Sequence, residues 1–194
     1  KTESVKFIGN KAYFISENEN GDEIWVVDIS DPKKPEAGIR IPAEGFLKML
    51  SPVSENVVLV ITENSFAGQN GKYYLCDVTD AKNPVIISYY EMSEGYYFSM
   101  STDQRQAVLD TEKMIFASPV RCVDDTTEEI SSIYLVFDIS DNEFKYKGLF
   151  EYNGEDAFVS RCIISGDTFY TVSGTTITAF STEEQKMISS VSIS

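Results

Sequence analysis

Apolar residues in this chain come in short runs: "KAYFIS", "IWVVDIS", "NVVLVITE", "KYYLCDVT" and "IYLVFDIS" are examples, each bounded by Gly, Pro, Asn, Asp or Ser. No stretch keeps apolar positions at helical spacing for long. Val, Ile, Tyr, Phe and Thr dominate the runs, so the pattern predicts strands joined by turns and an all-β fold.

The runs fall into four groups of four. The first reads "SVKFIG", "KAYFIS", "IWVVDIS", "EAGIRIP", and the second "FLKMLSPV", "NVVLVITE", "KYYLCDVT", "PVIISYYEM". The third reads "YYFSMST", "MIFASPVR", "IYLVFDIS", "FKYKGLFEY", with "RQAVLD" read as an insertion after its first run. The fourth reads "AFVSRCIIS", "DTFYTVS", "TTITAFS", "KMISSVSIS". The third run of each group carries an anchor at Asp28, Asp77, Asp138 and, by pattern, Phe180. Four-stranded antiparallel units repeating every ~40–50 residues predict a β-propeller-like fold of about four blades. The expected blades are 4–43, 46–93, 96–152 and 156–194, within one propeller domain or propeller fragment spanning 1–194.

Runs such as "IWVV", "VVLVI" and "IYLVF" do not alternate, which predicts middle strands covered on both faces by neighbouring blades. The more polar fourth runs, such as "FKYKGLFEY", suit outer edges, where Lys discourages edge-to-edge pairing. The turn from third to fourth strand contains Asp31-Pro32 in the first group and Asn83-Pro84 in the second. Asp and Asn accept backbone N–H bonds in tight turns and Pro presets φ. Asp28, Asp31, Asp77, Asn83 and Asp138 are therefore read as structural turn residues. The same acids could bind calcium only if six to eight oxygens converged, and no EF-hand spacing is present, so calcium stays a remote alternative to no cofactor at all.

Charge narrows the partners. With 16 Lys and Arg against 31 Asp and Glu, the net charge is −15. That disfavours nucleic acid, which requires phosphate neutralisation, and anionic membrane surfaces. The longest purely apolar run, "VVLVI" at 57–61, is far short of a membrane span. Histidine is absent, which removes Ser-His and Cys-His mechanisms within the chain. Cys76, Cys122 and Cys162 show no CxxC spacing, so no zinc site is expected. Cys76 reads as a core residue, and pairing of Cys122 with Cys162 stays open. The chain starts at Lys1 without a leader pattern, which reads as a domain taken from a longer protein.

The segments "VVDISDPKKPEAGIRIPAEGF" at 26–46, "DVTDAKNPV" at 77–85, "AVLDTEKMIFASPV" at 107–120, "VFDISDNEFKYKG" at 136–148 and the stretch at 166–193 occur in the order of a known family. They resemble the LVIVD repeat of bacterial surface propellers. More widely, they resemble the C-terminal part of a β-propeller domain found in secreted bacterial and archaeal proteins distantly related to WD40 repeats. A His-Lys pair often precedes the third segment in that family; Arg105 and Gln106 stand there here. The third group also lacks the prolines. The resemblance implies an extracellular or cell-surface location and supplies no catalytic residues.

The expected function is a non-catalytic module for protein or glycan interaction. Its candidate binding residues are Phe66 in "ENSFAGQNGK" and Tyr96 and Tyr97 in "SEGYYF", since Tyr suits binding surfaces. The acidic loop at 121–132 is a further candidate. The alternatives are a glycoside-hydrolase-like enzyme using a carboxylate pair and a purely structural spacer. If the blades form an arc rather than a closed ring, exposed blade faces predict a homodimer.

Overall fold

The computed structural model describes residues 4–64, 71–93, 95–98, 104–123, 130–151, 159–184 and 186–193. Seventeen strands and one short 3-10 turn make up the described structure. The chain divides into two compact units, Lys1–Met92 and Ser93–Ser194.

The first unit holds two antiparallel sheets whose strands pair in chain order. One contains β1 (Ser4–Ile8), β2 (Lys11–Ser16), β3 (Glu23–Asp28) and β4 (Glu36–Arg40). The other contains β5 (Phe46–Pro52), β6 (Val57–Glu63), β7 (Lys72–Asp77) and β8 (Val85–Glu91). Tyr13, Ile15, Ile24 and Val26 of the first sheet share a buried cluster with Val58, Val60, Tyr74 and Cys76 of the second. Each such side chain stabilises the unit by roughly 1.5–3 kcal/mol. The turns interlock as well. The edge strand β4 gives Ile39 N–H to Ala81 O at 2.9 Å, and Lys82 pairs with Glu36. Gly38 permits this approach, because a Cβ there would lie 2.0 Å from Ala81 O.

The second unit holds β9 (Tyr96–Phe98), β10 (Val108–Asp110), β11 (Ile115–Val123), β12 (Ile130–Asp138) and β13 (Lys145–Glu151) in one sheet. The other sheet is β14 (Val159–Ser165), β15 (Thr168–Ser173), β16 (Thr176–Ser181) and β17 (Lys186–Ser192). Their shared core is aromatic. Phe150 stacks on Phe180 at 5.0 Å, and Tyr134 meets Phe169 edge-on at 4.9 Å.

All four sheets repeat one register. The last residue of the third strand pairs with the first residues of the second and fourth strands, at Asp28, Asp77, Asp138 and Ser181. The pairing of third and fourth strands slips just before that residue in every sheet. This makes four propeller-type blades of one design.

Three expectations change in detail, and the third turn, expected to lack proline, shows how it does without one. The fourth anchor is Ser181 rather than Phe180, because a hydroxyl there replaces the carboxylate and breaks the sequence pattern by one position. "RQAVLD" is not a plain insertion: β10 pairs with the start of β11, while β9 pairs with its far end at Val120–Cys122, so both belong to one interrupted first strand. The third turn replaces proline with Asn142 in the left-handed region at φ 57°, a conformation Asn tolerates. Finally, "IWVV" is covered on one face only. Trp25 is 42% exposed, whereas β6 is buried along its length and β12 from Ser132 to Phe137.

Candidate functional site

The two ends of the first unit's strands differ in chemistry. At the anchor end, Asp28 Oδ1 accepts the Ser30 N–H and Asp77 Oδ1 the Thr79 N–H, each at 2.8 Å. Asp138 does the same for Ser140 in the second unit, also at 2.8 Å. Hydrogen bonds from the residue two places on, side chain first and backbone next, hold all three carboxyls below the usual carboxylate range. In the fourth blade Ser181 Oγ accepts Glu184 N–H at 3.0 Å. Asp31 Oδ1 accepts Lys33 N–H at 2.9 Å. Its counterpart in the second blade is Asp80, which accepts Lys82 N–H at 2.8 Å, while Asn83 gives its own N–H to Asp80 O at 2.9 Å. Buried Lys11 donates to Asn10 and Asn56 and adds its positive charge near both Asp28 and Asp77. These acids face their own turns.

The other end of the same strands forms a cleft. It consists of two adjoining hollows of about 450 and 630 Å³ that share Asn18 and Asp22. The β2–β3 turn, the β4–β5 link and the ends of β5 and β6 build it. Asp22 fixes its wall, accepting Leu47 N–H at 2.7 Å and donating its own N–H to Gly45 O at 2.9 Å. Thr62 Oγ1 donates to Glu44 O at 2.6 Å. Glu63 is buried and ion-paired with Lys48. Glu17, Glu19 and Phe46 complete the larger hollow, and Arg40, Glu44 and Asn64 the smaller one. Oxygen acceptors prevail, so the cleft suits a ligand that donates hydrogen bonds or carries positive charge, with Phe46 as an apolar surface. Among the described residues no group of three or more His, Cys, Asp or Glu is placed to hold a metal ion.

The sequence gives this cleft one visible sign. Thr62 and Glu63 follow the apolar run of β6 while staying buried, and a buried carboxylate requires a partner. Of the expected binding residues, Phe66 lies outside the described residues, as does the middle of the acidic loop, 124–129. Tyr96 and Tyr97 are half-buried in β9 of the second unit, opposite Cys122 and Arg121. All three cysteines are free. Burial pushes the Cys76 and Cys162 thiols up to about 12, which leaves them unreactive. Cys162 Sγ and Tyr134 OH both donate to Gln106 O, at 3.0 and 2.7 Å, so the Arg105-Gln106 turn serves the core of the second unit through its backbone.

Each unit also keeps one open apolar sheet face. In the first it is the β1–β4 face bearing Phe7, 71% exposed, and Trp25, whose Nε1–H donates to Glu23 at 3.3 Å. In the second it is the β14–β17 face bearing Ile163, Tyr170, Val172 and Ile177 around a hollow of about 440 Å³. Among the described residues no helix is long and apolar enough to cross a membrane.

Comparison with solved structures places this architecture. The WD40 domain of Toxoplasma gondii coronin superimposes with a TM-score of 0.59 at 10% identity, over 98% of this chain and 46% of that one. A hypothetical selenium-binding protein from Sulfolobus tokodaii gives 0.53 at 12%, over 96% and 49%. This chain thus spans about half the length of either. In sequence, 90 residues are 27% identical to the uncharacterized protein MJ1554 of Methanocaldococcus jannaschii, which is 46% of this chain and 14% of that protein. A 60-residue stretch is 43% identical to an ornithine aminotransferase of Halalkalibacterium halodurans, 29% of this chain and 15% of that protein. The family model of the beta propeller domain matches residues 1–185, and with four blades of one register behind it the chain belongs to that family.

Proposed function

We propose that this chain is a non-catalytic interaction module working outside the cytoplasm, on a bacterial cell surface, with a protein or glycan as its partner. The observation that carries this reading is the cleft of the first unit, whose Glu17, Asn18, Glu19 and Asp22 stand beside Phe46. Carboxylate and amide oxygens over an apolar ring fit sugar hydroxyls or the basic side chains of a protein. Support for the extracytoplasmic setting is the resemblance of the sequence motifs to those of secreted surface propellers. The net charge of −15 is consistent with a partner that is neutral or basic.

A carboxylate-pair hydrolase fits less well. Its acid would have to be desolvated and free to exchange a proton. The buried acid of this cleft, Glu63, is instead engaged by Lys48. The short likeness to an aminotransferase covers too little of either chain to carry that activity over.

The test is equilibrium binding of the chain to a panel of neutral oligosaccharides and basic peptides. The expected result is a ligand whose affinity falls about tenfold, or ~1.4 kcal/mol, in the Glu17→Ala/Asn18→Ala variant. Binding that is indifferent to that variant, or hydrolysis of an oligosaccharide, would defeat the reading.

A further inference from the structure

Trp25 stands at the lip of the smaller hollow, beside two residues that line it. In β3 the inward positions Ile24 and Val26 are buried in the core cluster, which sends Glu23 and Trp25 out on the opposite face. Trp25 is 42% exposed. Its Nε1–H donates to Glu23 Oε2 at 3.3 Å. Arg40, its cross-strand partner on β4, donates from Nη1 to Glu23 Oε1, also at 3.3 Å. Both oxygens of one carboxylate are thus engaged, by the indole and by the guanidinium. Glu23 and Arg40 are hollow-lining residues, so the indole is tied to the edge of the hollow in one orientation. An exposed ion pair of this kind adds little stability, ~0–1 kcal/mol. What it does set is where an aromatic surface stands relative to a polar hollow.

The hollow's own chemistry narrows the ligand. Its charged side chains are engaged within the unit: Arg40 with Glu23, Glu44 with Lys72 at 3.8 Å, and Asp22 with the Leu47 N–H. Three carboxamides, Asn18, Asn20 and Asn64, complete the lining. A carboxamide places donors and an acceptor side by side, and a hydroxyl likewise both donates and accepts. A volume of about 450 Å³ falls in the range of small-molecule sites, roughly 300–1,000 Å³. Carboxamides, a guanidinium and an oriented indole together match a sugar ring, which carries hydroxyls around its edge and C–H groups on its face. A lone cation would use neither the indole N–H clasp nor the amide donors.

We infer that the smaller hollow and Trp25 form a subsite for a neutral saccharide, its hydroxyls bonded to the carboxamides and Arg40 and its C–H face stacked on the indole. The inference rests on the reading of the cleft as a binding site. It assigns the sugar to this end and leaves Glu17 and Glu19 of the larger hollow to whatever adjoins it.

The chain's single tryptophan makes the subsite directly readable. The probes are cello-, malto- and chito-oligosaccharides, titrated into the 194-residue chain while Trp25 emission is followed, with calorimetry for variants that lack the indole. The expected result is saturable binding of one of them, with emission moving to the blue as the sugar displaces water from the ring. Trp25→Ala weakens that binding at least tenfold and Arg40→Gln severalfold, while Trp25→Phe, which keeps a stacking surface, recovers most of the loss. Trp25 and Arg40 are exposed, so the variants keep their fold, checked by circular dichroism. Saccharide binding that falls in Glu17→Ala/Asn18→Ala but not in Trp25→Ala would overturn the subsite and leave the cleft reading standing. Binding of oligo-arginine with no binding of any saccharide would do the same. Binding of neither class of probe would overturn both.

Discussion

Ala81 O sits 2.0 Å from where a Cβ on Gly38 would be, and Val26 O sits 2.7 Å from it. Both neighbours are backbone, so neither can turn aside. Gly38→Ala is expected to cost about 1–3 kcal/mol, as overpacking does, and to separate the β4 edge from the turn of the next blade. Urea unfolding of that variant checks it. The anchors make a second residue-scale prediction. Asp28, Asp77 and Asp138 have folded pKa values below the unfolded value of about 3.9. Their contribution is therefore complete above that value and is lost as pH falls through the folded pKa values. Melting temperature should drop on acidification below about pH 4, and the Asp28→Ala/Asp77→Ala/Asp138→Ala variant should lose part of that slope. An unchanged slope would show that the carboxylates do not hold the turns. These residues were legible because an Asp followed by Ser or Thr two places on is a turn with a mechanism. Ser181 was not, because the fourth blade performs the same capping with a hydroxyl.

At the scale of elements, the aromatic cluster Phe150–Phe169–Phe180 joins the two sheets of the second unit. Phe180→Ala should destabilise that unit by about 3–5 kcal/mol, the usual cost of emptying a buried Phe site, measured by chemical denaturation. Strand existence was largely readable, since short β-branched and aromatic runs between turns leave few other choices. Strand coverage was not. "IWVV" and "VVLVI" look alike, yet Trp25 faces outward and Leu59 does not, because coverage depends on which sheet lies beyond and no local run encodes that. The interrupted first strand β9/β10 was missed for a related reason: each piece is only three residues long and gains its pairing from the nine-residue β11. The cleft was largely hidden too, being assembled from three separate segments whose polar residues read individually as ordinary turns.

At the scale of the whole molecule, charge selects among ligands. The net charge is −15, which favours a basic ligand over an acidic one, and added salt screens that attraction. Binding of a basic peptide should weaken as sodium chloride rises from low ionic strength toward 0.5 M, measured by titration calorimetry. An affinity indifferent to salt would show that charge does not guide the binding.

In each unit one sheet has buried middle strands, β6 in the first and β12 in the second, while the other sheet keeps an exposed apolar face. Hydroxyl-radical footprinting of the dilute chain reads this side chain by side chain. The account predicts rapid labelling of Trp25, Phe7 and Ile163 and protection of Tyr73, Tyr134 and Phe116 until the chain unfolds. Protection of Trp25 in a chain shown to be monomeric, or early labelling of Tyr73, would contradict it.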